Sequence, residues 1–173
     1  MHVGAGRCYK IIEPNVYVGS APYNQQHFEQ ILQQGFELFV DLTVNGEQFP
    51  DCTPLYNYTA QPNIKRYHYP ITDRRAPNSF SKFHEFLKPV IEDMKTGKKT
   101  YIHCKGGHGR SGLTAAIILI LIFNMDANQV LQLVYNAHQT RSNMNPKMRK
   151  LGAPQTAAQK KFVRDFYNYL YQV

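Results

Sequence analysis

The stretch 98–123, KKTYIHCKGGHGRSGLTAAIILILIF, constrains the fold more than any other part of this chain. It reads as a short strand, then a glycine-rich loop, then a continuous apolar run. A strand that feeds a helix through a tight glycine turn is one unit of an open α/β sheet, where ligands bind beyond the carboxyl ends of the strands. The apolar run Leu113–Phe123 has 11 residues. That is too short to cross a hydrocarbon layer of about 30 Å, so it is predicted to be a buried core helix.

The flanking sequence repeats the alternation of strand and helix. YKIIE and NVYVGS read as strands separated by Pro14. NQQHFEQILQQG reads as a helix with Asn24 as N-cap and Gly35 at its end. FELFVDL is an apolar strand, and residues 43–63, with Pro50, Pro54 and Pro62, read as a long loop. IKRYHYPI is the next strand, and Ser79 caps a helix that Gly97 stops. KTYIH is a strand, helices are expected from Ser111 and from Asp126 to His138, and RSNMNPKMRKLGAP reads as a basic loop. The last helix is expected over 155–171, with Phe162, Phe166, Tyr169 and Leu170 on one face. The expected fold class is α/β: a single domain over 1–173, with a central, mostly parallel β-sheet flanked by α-helices on both faces.

Composition narrows the function. Three cysteines, Cys8, Cys52 and Cys104, form neither a disulfide framework nor a zinc pattern, which points to a reducing compartment, cytoplasmic or nuclear. Nothing at the start of the chain reads as a signal peptide, and no stable membrane insertion is expected. The net charge is +8. Residues 1–63 are net acidic, so the positive surplus lies in the region of the glycine loop and beyond it. A field of one sign at a cleft attracts an anionic substrate. No nucleic-acid-binding motif accompanies the charge, so no nucleic acid partner is expected.

The loop explains itself as chemistry. Gly106, Gly107 and Gly109 let the backbone curl so that successive amides can cradle an anion at a helix N-terminus. Arg110 can grip two phosphate oxygens with its planar fork. Cys104 lies at the base of the same nest, where amides, helix dipole and Arg110 favour the thiolate over the thiol. A thiolate beneath a phosphate is an in-line nucleophile. GxxxxGK[ST] is absent and GxGxxG does not fit residues 103–112. The string His103-Cys104-Lys105-Gly106-Gly107-His108-Gly109-Arg110-Ser111-Gly112, with its Cys-x5-Arg spacing, resembles the signature of the protein tyrosine phosphatase superfamily.

That resemblance implies further roles. A proton donor is expected on a loop about 30 residues before the cysteine, and PITDRRAP supplies Asp73 there. VYVGSAPYN resembles the opening of dual-specificity phosphatases, so the chain is similar to a small atypical member of that group. PQTAAQKKFV resembles a segment whose glutamines position the attacking water, which makes Gln155 and Gln159 candidates. His138 and Arg141 resemble a helix-end pair near the active site, with Arg141 as support for the loop. His103 is expected to orient the loop, and Ser111 to donate a hydrogen bond to the departing thiolate. Lys105 through Arg110 would bind the phosphate, and no metal or cofactor is required.

The implied activity is hydrolysis of phosphotyrosine and phosphoserine or phosphothreonine in proteins through a phosphocysteine. Lys105 and His108 keep open an alternative. A similar loop in the phosphatase-and-tensin-homologue family carries lysines at both places, so a phosphoinositide substrate is the first rival. An RNA 5′-triphosphatase is less favoured, because such loops carry a Thr-His pair where this chain has Lys105-Gly106. A catalytically idle phospho-binding module is disfavoured by the joint presence of Cys104, Arg110 and Asp73.

Overall fold

Alternation along the strands decides which residues face which layer. In the computed structural model, which describes residues 7–13, 15–47 and 63–172, β1 (Cys8–Ile12) and β2 (Val16–Ser20) form an antiparallel pair. After α1 (Gln25–Gln33) come β3 (Leu38–Asp41), β4 (Lys65–His68), α2 (Phe80–Lys95) and β5 (Thr100–Cys104). Helices α3 (Arg110–Phe123), α4 (Ala127–Gln139), α5 (Pro146–Leu151) and α6 (Ala157–Tyr171) follow. The strand order is β1-β2-β5-β3-β4. Every pairing except β1–β2 is parallel, so β5 lies at the centre and its carboxyl end opens onto the glycine loop.

Both faces of the sheet are covered, as expected, but unequally. Val18, Val40 and Ile102 point to one side and pack with Leu113 and Ile117 of α3, Leu87 of α2, Val130 of α4 and Phe162 of α6. Phe39 and Tyr101 point to the other, where α1 supplies Phe28 and Ile31. Every residue of α3 from Arg110 to Ile120 is buried, which is why that stretch carries no amphipathic period. Asn24, Ser79 and Asp126 cap their helices through side-chain acceptors. At the carboxyl end of β3 the buried Asp41 accepts from Thr43 and pairs with Arg66 at 2.6 Å. No helix among the described residues is long and apolar enough to cross a membrane.

The structure corrects the sequence reading in one place. The expected basic loop contains α5, whose first turn is built by Asn145 accepting from the Lys147 amide at 2.7 Å and by Pro146 at its start. None of its residues is buried, so it has no apolar period to betray it. The last helix starts at Ala157 behind an N-cap at Thr156. Pro14, Cys52 and most of the expected long loop at 43–63 lie outside the described residues.

His27 of α1 has an energetic consequence. It is 1% exposed, and its Nδ1 accepts from the Tyr23 amide at 3.2 Å. Burial, then the nearby Arg7 and His103 charges, push its pKa down to about 4, against about 6.5 unfolded. The unfolded chain therefore holds more protons between those values. His27 contributes stability that is full above pH ~6.5 and is lost as pH falls toward ~4. Between pH 7 and pH 5 the denaturation free energy should fall, with His27 contributing about 1–2 kcal/mol of the loss. His27→Asn, which retains an acceptor for the Tyr23 amide, should show a smaller fall. An equal fall in urea titrations of both proteins would remove this assignment.

Candidate active site

Cys104 ends β5 and Arg110 begins α3, so the loop between them is anchored at both ends by core elements. Cys104 is 3% exposed. Its Sγ accepts from the Gly107 amide at 3.3 Å and lies 3.3 Å from Ser111 Oγ. Ser111 Oγ is thus within hydrogen-bond reach of the sulfur, the neighbourhood in which the sequence reading expects it. His103 is buried behind the cysteine, and its Nδ1 lies 3.1 Å from the Cys104 carbonyl. Burial pushes its pKa down, against the pull of Asp41.

Two tethers fix the loop from outside. Arg141 Nη1 donates to the Gly106 carbonyl at 2.8 Å, and the Ala21 amide donates to the Lys105 carbonyl at 3.0 Å. Gly107 sits at φ +82° against β2, where an added Cβ would lie 2.4 Å from the Gly19 carbonyl carbon. Backbone conformation and space both require glycine there.

Arg110 is the most constrained side chain of the site. It is 2% exposed. Its Nη1 donates to Glu47 Oε1 at 2.7 Å and to the Ile71 carbonyl at 2.9 Å. Its Nη2 donates to Glu47 Oε2 and, at 3.1 Å, to Asp73 Oδ1. Burial alone lowers the arginine's pKa, but the Glu47 hydrogen bonds together with the charges of Cys104, Glu47 and Asp73 outweigh it, so it is raised. Burial likewise raises Glu47, and Arg110 with the Val44 amide more than reverses it, holding that carboxyl below its usual range. Glu47 takes the two terminal nitrogens, and Nε has no partner among the described residues.

These groups line one cavity of about 190 Å³, bounded by Asp73, Arg74, Cys104, Lys105, Gly106, His108, Gly109, Arg110, Met148 and Gln155. Asp73 is therefore brought to the loop despite the 31 residues that separate it from Cys104, and its side chain is 65% exposed. His108 borders the cavity, but its Nδ1 lies 2.9 Å from His138 Nε2. Burial, then Arg141, push His108 down to about 3. Burial, then Arg141, likewise push His138 down to about 4. In this environment both rings are held toward their neutral forms.

The two glutamines separate. Gln155 lines the cavity with its Nε2 3.8 Å from Met148 Sδ. Gln159 is fully buried and bonded to backbone, with its Oε1 accepting from the Gln155 and Thr156 amides. Sequence reasoning missed Glu47, Arg74 and Met148. Glu47 lies in a loop with no motif, and Met148 in the helix whose pattern was silent.

A nucleophilic cysteine, a buried arginine and a carboxylate around one cavity, at the carboxyl end of a central parallel strand, define a cysteine-dependent phosphatase domain. Over residues 6–163 the chain matches the family described as PTP-SAK: Swiss Army Knife protein, DSP-PTPase phosphatase domain. The chain belongs to that family.

Among similar proteins is "Putative tyrosine phosphatase 067L" of Invertebrate iridescent virus 3, 34% identical over 145 residues, covering 82% of this chain and 58% of the viral protein. Another is cyclin-dependent kinase inhibitor 3 of Mus musculus, 28% identical over 152 residues, covering 86% of this chain and 62% of the mouse protein. The chain thus spans about three-fifths of these relatives' length. Its fold is similar to that of Tk-PTP in the active form, with a TM-score of 0.74 at 23% identity, covering 94% of this chain and 97% of that one. Kinase-associated phosphatase superposes with a TM-score of 0.74 at 23% identity, covering 91% and 88%.

Two measurements check the site. Burial pushes the Cys8 thiol up to about 11, against the pull of Arg141 and Lys99. Iodoacetate at about pH 6 should therefore alkylate Cys104 well before Cys8, and inorganic phosphate should protect Cys104. Equal labelling would show that the loop does not activate its cysteine. Glu47→Gln, which breaks the charge pair behind Arg110, should raise the inhibition constant of phosphate about tenfold. An unchanged constant would mean that Arg110 holds its place without Glu47.

Proposed function

We propose that this chain hydrolyses phosphomonoesters in proteins, taking phosphotyrosine as well as phosphoserine and phosphothreonine, through a phosphocysteine. One observation carries the reading: Cys104, Arg110 and Asp73 face the same small cavity. The substrate's phosphate enters above Cys104, with Arg110 and the loop amides on its oxygens, where charge must be stabilised. The Cys104 thiolate attacks phosphorus in line. The S–P bond forms as the bond to the leaving oxygen breaks, and Asp73 gives that oxygen its proton. Asp73 then takes a proton from a water whose oxygen attacks phosphorus. Breakage of the S–P bond releases inorganic phosphate and returns the thiolate, to which Ser111 donates. Gln155, at the cavity wall, is the glutamine assigned to hold that water. A thiolate nucleophile requires a reducing compartment, and we assign the protein to one inside the cell.

The His108–His138 pair speaks against the phosphoinositide alternative, because His108 is engaged with His138 and held toward its neutral form. One solved structure of similar fold holds the phosphoinositide PI(5)P, at a TM-score of 0.69 and 12% identity, so the test includes that class.

The experiment is a phosphate-release panel of phosphotyrosine, phosphothreonine and phosphoserine peptides beside soluble inositol phosphates. Peptides should be turned over and inositol phosphates little. The reverse order would overturn the substrate assignment. Cys104→Ser should abolish turnover while phosphate still binds. Asp73→Asn should lower kcat on phosphotyrosine peptides by about 10²-fold, with a smaller loss on aryl phosphates whose leaving groups are acidic. The alkaline limb of its pH–rate profile should flatten, as it does when a general acid is removed. A wild-type kcat on peptides with an unchanged alkaline limb would take the acid role from Asp73.

A further inference from the structure

The first turn of α6 reaches the loop that carries Asp73. Thr156 Oγ1 donates to the Arg74 carbonyl at 3.3 Å, and Gln159 Nε2 donates to the Arg75 carbonyl at 3.2 Å. The same carboxamide presses on the phosphate loop. A Cβ added at Gly109 would lie 2.7 Å from both Gln159 Nε2 and Oε1. One buried side chain thus touches the phosphate loop on one side and the acid loop on the other, two residues after Asp73.

The acid loop needs such a hold. Residues 72–75 are exposed, and Arg74 sits at φ +67°, a conformation that a side chain other than glycine adopts only under constraint. The ties within the segment are a turn, the Arg75 amide on the Thr72 carbonyl at 3.0 Å, and the Asp73–Arg110 contact. That contact lies on the group a substrate phosphate will claim. Once phosphate is bound, the ties to α6 set the loop's position together with the Ile71 amide's bond to the Leu42 carbonyl at its entry.

We propose that Thr156 and Gln159 are positioning residues that latch the acid loop to the phosphate loop, holding Asp73 over the leaving oxygen. Gln159 then acts through Arg75 and Asp73, and not on the attacking water as the sequence resemblance implied. The proposal rests on Asp73 being the general acid. Its effect is confined to substrates that need a proton, because Cys104 and Arg110 are held by other contacts.

The test compares the wild type with Thr156→Asp, Gln159→Met and Thr156→Ser, each also combined with Asp73→Asn. Thr156→Asp keeps a helix-capping acceptor and loses the hydroxyl donor, whereas Thr156→Ser keeps both. In Thr156→Asp and Gln159→Met, kcat on a phosphotyrosine peptide should fall about tenfold, while kcat on an aryl phosphate with an acidic leaving group changes less than twofold. The alkaline limb should weaken with it. Thr156→Ser should behave as wild type. The ratio of the two rates within one preparation does not depend on how much protein is folded, so instability cannot mimic the result. In the Asp73→Asn background neither change should lower kcat further, because both act through that carboxyl. Equal losses on both substrates, or additive losses in the Asp73→Asn background, would overturn the latch while leaving Asp73 as the acid. A wild-type rate for Asp73→Asn alone would remove the acid assignment and the latch together.

Discussion

A guanidinium withdrawn from water needs partners for its charge and its N–H groups. Arg110 finds them at its two terminal nitrogens, from two segments distant in sequence: the Glu47 carboxylate from one, and the Ile71 carbonyl and Asp73 carboxylate from the other. The catalytic geometry follows from it. The segment 43–47 is drawn toward the start of α3, the chain beyond β4 is fixed there at Ile71, and Asp73 is carried to the cavity. The pairing is also directional. Glu47 takes Nη1 and Nη2 together, as a two-point pair of carboxylate and guanidinium. Breaking such a pair costs more than forming it gains, since the orphaned charge stays buried.

The loop between Cys104 and Arg110 is rigid for reasons of packing as much as of hydrogen bonding. Gly107 lies against the backbone of β2, so it cannot carry a side chain without moving a core strand, and Gly109 lies against the Gln159 carboxamide. Arg141 and Ala21 hold its carbonyls from outside. An anion site held this firmly is preorganised: little need reorient when charge develops on the transferring phosphoryl group, and preorganised donors act most strongly in a site sheltered from water.

The buried histidines show how environment changes a residue's meaning. A histidine in a phosphate loop of a basic protein reads as a cation that could hold a second phosphate. In this fold His108 faces His138, 2.9 Å away, with Arg141 near both. Desolvation and that neighbouring charge hold the pair toward its neutral form. Its contribution is to shape the loop from beneath, and the cations left at the cavity are Arg74, Lys105 and Arg110.

What the sequence determined by itself is the local part. The strand–loop–helix at 98–123, the caps at Asn24, Ser79 and Asp126, and the grouping of Cys104 with Arg110 and Ser111 are set by neighbours in the chain. Spacing and periodicity report such neighbours directly. Asp73 could be named from its distance to Cys104 and its turn-forming context, and the structure places it at the cavity wall. The tertiary structure alone decided the rest. Glu47 meets Arg110 across 63 positions, Gln159 meets Arg75 across 84, and His108 meets His138 across 30. Contacts at such separations leave no period in the sequence. They arise only when parallel strands and their crossover helices bring distant loops to the same end of the sheet, where burial makes each polar group find a partner.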